Sequence, residues 1–401
     1  MRSVELFAGA GGLAMGATLA GFEHAAVIEW DKWACDTVRE NQRRDFPLVR
    51  DWPLIEGDVR AFDYSSIQGE IDLLAGGPPC QPFSLGGKHR AHSDRRDMFP
   101  AAIEAVRRLR PRAFLIENVR GLTRGTFANY LQYIKLGLAF PEATRREDET
   151  WIEHLARLER LETRGHEVGL VYNIVARVLN AADYGIPQRR ERFFIVGFRN
   201  DLGVSWNFPA PTHSLDVLLA DQWINKTYWD RHEVARRRRP ELPTGLKRRV
   251  AKLDQALLGE GCRPWRTVRD ALRDLPDPRD ERESDFHHNH RFQPGARVYP
   301  GHTGSPLDLP AKTLKAGDHG VPGGENMLVA PDGGTRYFTV RESARLQTFP
   351  DGYVLHGSWS EAMRQLGNAV PVALARLLAA GIAEKLVKAD AARLAKERAA
   401  A

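Results

Sequence analysis

The strongest constraint on the fold is an alternation of short apolar runs with helical stretches along the first half of the chain. The alternation extends from Arg2 to about Phe198. In order, the apolar runs read SVELF, EHAAVIE, PLIEGD, IDLLAGG, RAFLIEN, GLVYNIVARV and RFFIVGF. This pattern is typical of a parallel sheet with helices on both faces. The sequence therefore predicts an α/β fold built on a Rossmann-like, doubly wound, mostly parallel sheet.

The periodicity divides the chain into three segments. Residues 1–200 carry the regular pattern, residues 201–337 are charge-rich and contain many prolines, and residues 338–401 return to helical spacing. We predict a regular domain, a less regular second domain and a closing segment with a long C-terminal helix that begins near Pro371. An insertion at 121–165 adds one more helix to the first domain, ending at a glycine.

Composition restricts the compartment and the partner. The three cysteines, Cys35, Cys80 and Cys262, are far apart and odd in number, which disfavours a disulfide framework. No apolar run looks long enough to span a bilayer, and the N-terminus enters a strand pattern without a signal peptide. We therefore expect a cytoplasmic protein with no membrane contact. The net charge of +6 fits a polyanionic partner, but GC-rich coding would produce the same excess of arginine.

A glycine-rich turn follows the first predicted strand. Gly9, Gly11 and Ala14 match the G-x-G-x-x-G/A pattern that lets a backbone approach a ligand closely. Glu29 ends the second strand, where a carboxylate can accept hydrogen bonds from a ribose diol, and Asp58 ends the third. All three lie at the carboxyl edge of one sheet, so we predict a nucleoside cofactor. These residues leave open whether it is a dinucleotide or S-adenosylmethionine.

The stretch GGPPCQPFS places Cys80 just beyond the fourth strand. Pro78, Pro79 and Pro82 restrict the backbone on both sides of the thiol. A thiol held in one place beside a cofactor turn is suited to covalent attack. The same sheet edge receives Glu117 from the next strand, and Arg190 and Arg192 from QRRERFFIVG. A nucleophile, a carboxyl group and two cationic donors together indicate a site for an electron-poor ring.

These blocks closely resemble the DNA (cytosine-5)-methyltransferases, in particular the bacterial modification enzymes. The matching blocks, in the family's order, are LFAGAGG, EWD, GDV, GGPPCQPFS, ENV, QRRERFFIVG, RESARLQTFPDGY and GNAVP. Relatives that methylate exocyclic amines carry an aromatic residue where this chain has Cys80. The resemblance therefore implies a class I S-adenosylmethionine-dependent fold and methylation of a ring carbon.

The resemblance also implies roles for the catalytic residues. Cys80 would add to carbon 6 of cytosine, while Glu117, its pKa raised by desolvation, would bind ring nitrogen 3. Arg190 would bind the base carbonyl, and Arg192 would position the loop and stabilise the developing charge. The target base would be rotated out of the duplex, with Gln81–Arg96 as a mobile lid.

Cofactor and DNA contacts carry over in the same way. Glu29 would bind the ribose and Trp30 would pack on the adenine. The implied cofactor residues are Phe7, Gly9, Gly11, Gly12, Glu29, Trp30, Asp58, Val59, Gly77, Pro79, Asn368 and Val370. Because the last two lie in GNAVP, the C-terminal helix should return to the first domain. The implied DNA-binding residues are Gln81, Ser84 and Thr313.

On this interpretation, residues 1–200 form the catalytic, cofactor-binding domain, and residues 201–337 form a target-recognition domain that reads double-stranded DNA from the major groove. Residues 338–401 carry the last motifs back to the catalytic domain. The runs ARRRRP and LKRRVAK would contact phosphates, and FHHNH is not expected to bind metal. We expect a monomer that protects host DNA, with any cognate restriction endonuclease acting on the same site without a stable complex.

Two other functions are compatible with the fold. A transfer-RNA cytosine-5 methyltransferase would share the catalytic blocks, but would not need a large basic domain after Phe198. A non-catalytic DNA-binding regulator would keep the fold, but would have no need for Cys80, Glu117, Arg190 and Arg192 together.

Overall fold

The computed structural model describes residues 1–79, 97–164, 169–253, 261–298, 303–316 and 324–400. The chain forms two compact units, each built from separate stretches of sequence. Unit 1 comprises Met1–Leu179, Glu191–Pro209 and Ala375–Ala401. Unit 2 comprises Asn180–Arg190 and Ala210–Leu374. The C-terminal helix therefore belongs to unit 1 for most of its length.

Unit 1 is organised around a seven-stranded sheet. The strands are β1 Arg2–Leu6, β2 Glu23–Glu29, β3 Leu54–Glu56, β4 Leu73–Gly76, β5 Ala113–Val119, β6 Tyr172–Asn180 and β7 Glu191–Arg199. Their order across the sheet is β3-β2-β1-β4-β5-β7-β6. Strands β1 to β5 pair in parallel, while β7 runs antiparallel to β5. The predicted doubly wound, mostly parallel sheet is confirmed.

Helices connect and cover these strands. They are α1 Gly12–Leu19, α2 Lys32–Arg43, α3 Phe99–Leu109, α4 Ala128–Ala139, α5 Trp151–Arg164 and, at the end of the chain, α13 Val372–Ala400. Central strands such as β4, with Leu73 and Leu74 fully buried, are apolar on both faces because helices cover both. The helix predicted in the 121–165 insertion is α5. Its Leu155 and Leu158 pack against Leu136 and Phe140 of the α4 region.

The C-terminal helix packs closely against α1. A Cβ atom added at Gly16 would lie 2.3 Å from Cβ of Ala375, so only glycine allows this approach. Farther along, Asp390 accepts from Arg112 at 2.6 Å, and Arg112 also donates to Asp72 at 2.8 Å. The guanidinium of the mostly buried Arg112 thus ties the helix to the edge of the sheet.

Unit 2 is less regular. Its strands are β8 His213–Ser214, β9 Arg263–Pro264, β10 Ser305–Pro306, β11 Met327–Val329 and β12 Thr335–Tyr337. Its helices are α6 Leu215–Leu219, α7 Thr227–Arg231, α8 Thr244–Val250, α9 Val268–Leu272, α10 Glu281–Ser284, α11 Val340–Leu346 and α12 Trp359–Asn368. The short elements are held by small apolar clusters, one of which is centred on the buried Tyr228 and Trp229.

Within the described residues, one helical stretch, Trp359–Ala399, is long and apolar enough to cross a membrane by length and composition alone. However, 67% of its most apolar window is buried inside the protein. That burial is typical of a core helix. The stretch is also interrupted between α12 and α13 at Ala369–Pro371.

Candidate active site

The candidate site in unit 1 lies at one edge of the sheet. The carboxyl ends of β1 to β5 share this edge because those strands are parallel. Strand β7 is antiparallel to β5, so its first residues, including Arg192, lie at the same edge. The topology therefore collects side chains from separate parts of the sequence.

The turn after β1 adopts an unusual backbone conformation. Phe7, Gly9 and Gly11 have φ angles of 55°, 54° and 86°, in the left-handed region that favours glycine. The N–H of Gly11 donates to Ala8 O at 2.9 Å, and Gly12 begins α1. In the described part of the chain, a Cβ atom added at Gly9 would meet no atom within 4 Å. The turn thus places closely approachable backbone at the N-terminal end of a helix, as a ligand-binding turn requires.

The carboxylate of Glu29 is held in a fixed orientation. It accepts from the N–H groups of Gly9 at 2.7 Å, Trp30 at 2.9 Å and Asp31 at 2.7 Å. Desolvation raises the pKa of this buried carboxyl, although the three N–H donors oppose the rise. Glu29 and the glycine turn, predicted from the sequence as parts of one site, are in direct contact.

The neighbouring residues suit a nucleoside. The Trp30 side chain is 67% exposed and presents an aromatic face beside Glu29. Asp58 pairs with Arg60 at 2.5 Å, and this hydrogen bond lowers the pKa of its carboxyl, while Val59 is buried in the core. An exposed ring, an acceptor for a diol and a second ionised acid form a donor and acceptor set that fits adenosine.

Three predicted residues, Cys80, Gln81 and Ser84, lie outside the described residues. The positions that flank them are fixed. Pro78 O accepts from Asn118 Nδ2 at 2.9 Å, and Pro79 O accepts from Met98 N at 3.4 Å. Met98 is buried in the main core of unit 1. The backbone leading to Cys80 is therefore anchored to β5 and to the start of α3.

Glu117 and Arg192 form a buried ion pair. In the antiparallel ladder Glu117 is opposite Phe194, so Arg192, two residues away, projects from the same face as Glu117. Arg192 Nε lies 3.0 Å from Glu117 Oε1, and the two side chains are only 13% and 10% exposed. Burial lowers the pKa of the Arg192 guanidinium, and the carboxylate opposes that effect.

Gly77 completes this arrangement. A Cβ atom at position 77 would lie 3.1 Å from Glu117 Oε2, tighter than an ordinary contact. The absence of a side chain at Gly77 thus lets the chain that leads to Cys80 pass directly beside the carboxyl group.

Unit 2 holds the other predicted residues. Arg190 is 1% exposed, and its guanidinium donates to Leu314 O at 3.0 Å and to Gly367 O at 2.7 Å. Thr313 Oγ1 donates to Arg189 O at 2.6 Å. Asn368 is exposed at the end of α12, and Val370 is buried two residues later. The two predicted arginines, Arg190 and Arg192, therefore have different surroundings, since Arg192 contacts a carboxylate and Arg190 contacts backbone carbonyls.

Sequence reasoning missed two residues of unit 1 near this edge. Asn118, inside the ENV block, binds Pro78 and could have been noticed as a polar residue beside Glu117 in a buried strand. Glu5 lies one residue from the end of β1 and is 1% exposed, and neither of its carboxyl oxygens has a hydrogen-bond partner among the residues that the structure describes. Burial raises its pKa well above the ordinary value. The signal for Glu5 was an acid within the apolar run SVELF.

Comparison with known proteins decides between the functions that such a site allows. The sequence model of the C-5 cytosine-specific DNA methylases matches residues 1–139 and 158–384. The chain belongs to the C-5 cytosine-specific DNA methylase family. This membership confirms the resemblance found in the sequence. As a member of this family, the protein is a DNA cytosine-5 methyltransferase, an activity that requires a methyl donor and a DNA substrate.

Similar proteins include several bacterial family members. The Type II methyltransferase M.PspPI of Psychrobacter sp. (strain TA137) is 32% identical over 96% of this chain and 79% of its own length. Type II methyltransferase M.NgoMIV of Neisseria gonorrhoeae is 31% identical over 96% of this chain and 98% of its own length. Type II methyltransferase M.Eco47II of Escherichia coli is 31% identical over 92% of this chain and 76% of its own length.

Solved structures share the methylase fold. The S. pombe Dnmt2 methyltransferase superposes with a TM-score of 0.53 at 19% identity, covering 96% of this chain and 99% of that protein. The Entamoeba histolytica methyltransferase EhMeth superposes with a TM-score of 0.53 at 13% identity, covering 96% of this chain and 98% of that protein. At these identities the likeness supports the fold alone.

Proposed function

We propose that this protein transfers a methyl group from S-adenosylmethionine to carbon 5 of a flipped-out cytosine within a short duplex DNA sequence, as the protective half of a restriction–modification pair. The observation that carries the proposal is the Glu117–Arg192 ion pair beside Gly77, three residues before Cys80. Several family members that resemble this chain are named as Type II methyltransferases, which supports a modification role.

The residues of unit 1 fit S-adenosylmethionine better than a dinucleotide, because the family transfers methyl groups. Glu29 would accept from the ribose hydroxyls and Trp30 would stack on the adenine, with Asp58 and Val59 at its edge. Phe7, Gly9, Gly11 and Gly12 would surround the methionine portion together with Gly77 and Pro79. Asn368 and Val370 are the remaining proposed cofactor contacts. The bound cofactor supplies a methyl group on a sulfonium, which is electrophilic enough for a carbon nucleophile.

Carbon 5 of cytosine is too weak a nucleophile until the ring is activated. We propose that the Cys80 thiolate forms a bond to carbon 6, so that negative charge moves to nitrogen 3 and the carbonyl oxygen. Glu117 would share a proton with nitrogen 3 and stabilise that charge. Carbon 5 would then be nucleophilic enough to receive the methyl group as its bond to the sulfonium sulfur breaks, with S-adenosylhomocysteine as the leaving group. A base would remove the carbon 5 proton, and the electrons of that C–H bond would re-form the double bond between carbons 5 and 6 and expel the thiolate.

The ion pair supports a change in the arginine roles. Arg192 contacts Glu117, so we assign Arg192 to the base carbonyl and to holding the orientation of Glu117. The resemblance gave the carbonyl to Arg190, whose guanidinium is bonded to two backbone carbonyls. Thr313, Gln81 and Ser84 remain the proposed DNA contacts.

Unit 2 carries a cationic surface that we assign to DNA phosphates. We call the exposed side chains of Arg236–Arg238 the arginine turn. Among the described residues, none of its three guanidinium groups lies within ion-pair distance of an acid, whereas the next residue, Arg239, pairs with Asp230 at 2.5 Å. Cations without acidic partners fit phosphate binding better than a simple solvated surface. We further propose that the enzyme acts as a cytoplasmic monomer and that any cognate restriction endonuclease acts separately.

The test is incubation with methyl-labelled S-adenosylmethionine and mixed-sequence duplex DNA, followed by base-resolution mapping of 5-methylcytosine. We expect label in one short motif. Cys80→Ala should abolish transfer while cofactor affinity stays within about twofold, and Cys262→Ala is the matched control that should keep activity. Glu117→Gln should slow transfer by about 10²–10⁴-fold. Label in transfer RNA alone would support the RNA alternative, and cofactor binding without label in either nucleic acid would support a non-catalytic regulator.

A further inference from the structure

A buried polar network in unit 2 joins four segments that are distant in sequence. The segments are Pro187–Arg190, Gln347 at the end of α11, the loop with Thr313 and Leu314, and the turn from Leu366 to Val370. The network consists of Gln188 and Gln347, both fully buried, and Arg190, which is 1% exposed.

Arg190 connects the last two segments directly. Its Nη1 donates to Leu314 O at 3.0 Å, and its Nη2 donates to Gly367 O at 2.7 Å. The guanidinium is planar, so the directions of its two donors are fixed relative to each other. Displacing either carbonyl would cost one of these bonds, and water has no access to replace it.

The glutamines provide a second, independent connection. Gln188 Oε1 accepts from Leu314 N at 3.0 Å, and its Nε2 donates to Gln347 Oε1 at 3.2 Å. Gln347 Nε2 in turn donates to Leu366 O at 2.5 Å and to Ala369 O at 3.2 Å. Two routes thus run from the loop after Thr313 to the turn before Val370.

The backbones of these two segments are also in direct contact. A Cβ atom added at Gly367 would lie 2.3 Å from Ala316 N and 2.4 Å from Lys315 C. The position of one backbone therefore limits the position of the other. In the proposed function, which this inference assumes, Thr313 contacts DNA while Asn368 and Val370 contact the cofactor.

We propose that Arg190 is a positioning residue that couples cofactor binding to DNA binding, through the two carbonyls it holds, rather than a catalytic residue that contacts the base. Gln188 and Gln347 support the same coupling. When the cofactor fixes the turn at Asn368, the network fixes the loop at Thr313 in its DNA-binding position. By reciprocity, DNA tightens the binding of the cofactor by the same factor.

The experiment measures the affinity of a duplex containing the mapped site, with and without saturating S-adenosylhomocysteine, the reaction product. The ratio of the two dissociation constants is the coupling factor, for which about 5- to 150-fold is typical of coupled sites. Arg190→Lys keeps the charge but loses the two-pronged geometry, and we expect its coupling factor to fall to within twofold of one. Gln347→Met removes the bonds to Leu366 and Ala369 and should reduce the factor in the same direction.

Arg279→Gln is the control, because Arg279 is exposed in the same unit and, among the described residues, forms an ion pair with its sequence neighbour Asp277. It should leave the coupling factor unchanged. The single-turnover rate of methyl transfer at saturating DNA and cofactor separates the two roles. A positioning role predicts a rate within about tenfold of wild type for Arg190→Lys.

Two results would overturn the inference. One is a wild-type coupling factor of one in an enzyme that still methylates DNA, which leaves the proposed function intact. The other is an unchanged coupling factor in both variants, with single-turnover transfer abolished by Arg190→Lys, which would return Arg190 to the base. If Arg190→Lys fails to fold, Gln347→Met alone decides between the outcomes. Failure of wild-type methylation would refute the proposed function instead.

Discussion

The contact at Gly367 offers a quantitative test of how tightly the last motif is packed. In Gly367→Ala the new methyl group would lie 2.3 Å from Ala316 N, about 1 Å closer than an ordinary contact. The obstacle is backbone, which cannot rotate away as a side chain would. The two segments must therefore separate by about 1 Å, which takes the 2.7 Å bond from Arg190 to Gly367 O beyond hydrogen-bonding range.

The cost follows from these two effects. Overpacking typically costs about 1–3 kcal/mol, and loss of a hydrogen bond to a charged group costs about 1.5–3 kcal/mol. Replacing a helical glycine with alanine stabilises the folded state by about 0.5–1 kcal/mol, which offsets part of this cost. We expect a net destabilisation of about 3 kcal/mol, or roughly 10 °C in the melting temperature of unit 2.

Gly245→Ala is the matched control. Gly245 lies in α8 of the same unit, has an ordinary φ angle, and has no described atom within 4 Å of an added Cβ. This variant should therefore gain about 0.5 kcal/mol in the free energy of unfolding. The assay is calorimetry, combined with hydrogen exchange of peptides from residues 310–316 and 359–370. These peptides should lose protection in Gly367→Ala alone. A Gly367→Ala protein as stable as wild type within about 0.5 kcal/mol would show that the close packing does not exist in solution.

Two further perturbations test other parts of the molecule. Burial raises the pKa of Glu5 above its unfolded value near 4.5. Between the unfolded and the folded pKa, the Glu5 carboxyl ionises in the unfolded chain but stays protonated in the folded protein. The wild-type protein therefore loses stability as pH rises through this range. Glu5→Gln should therefore gain stability relative to wild type as pH rises above the unfolded pKa of Glu5, measured by urea unfolding, and a pH-independent difference would contradict this reasoning. The second perturbation replaces the arginine turn with Arg236→Gln, Arg237→Gln and Arg238→Gln. It should reduce the slope of log DNA affinity against log salt concentration by about 2.7, because each lost phosphate contact accounts for about 0.9. The methylated motif should stay the same. The control replaces Arg43, Arg44 and Arg50 of unit 1, which are paired with acids, and a slope change as large as that of the arginine turn would contradict phosphate contact there.

The sheet and much of its carboxyl edge could be predicted because both follow from local signals. A turn of glycines after a strand and an acid at the end of the next strand place Glu29 against Gly9 once the sheet is parallel. This contact between Glu29 and Gly9 can be predicted without knowing the order of the other strands in the sheet. The family followed from the blocks around Cys80 and Arg192, whose residue types have a chemical reason to occur together.

Other features depended on pairings that sequence does not show. Arg190 and Arg192 are two residues apart in a strand-like stretch, so alternation alone predicts that they share a face. The chain instead changes unit between them, because β7 begins at Glu191. Only the antiparallel register of β7 reveals that Arg192 belongs with Glu117. The contacts of Arg190 require knowing that residues 314 and 367 meet.

The division of unit 1 into three stretches of sequence has a consequence for its synthesis. The surface of α1 at Gly16 is covered by α13, which follows unit 2 in chain order. A nascent chain must therefore leave that apolar surface uncovered while the whole of unit 2 emerges from the ribosome. The packing of unit 1 can therefore be completed only after α13 has been synthesised. A circular permutant that places α13 ahead of β1 would remove that delay.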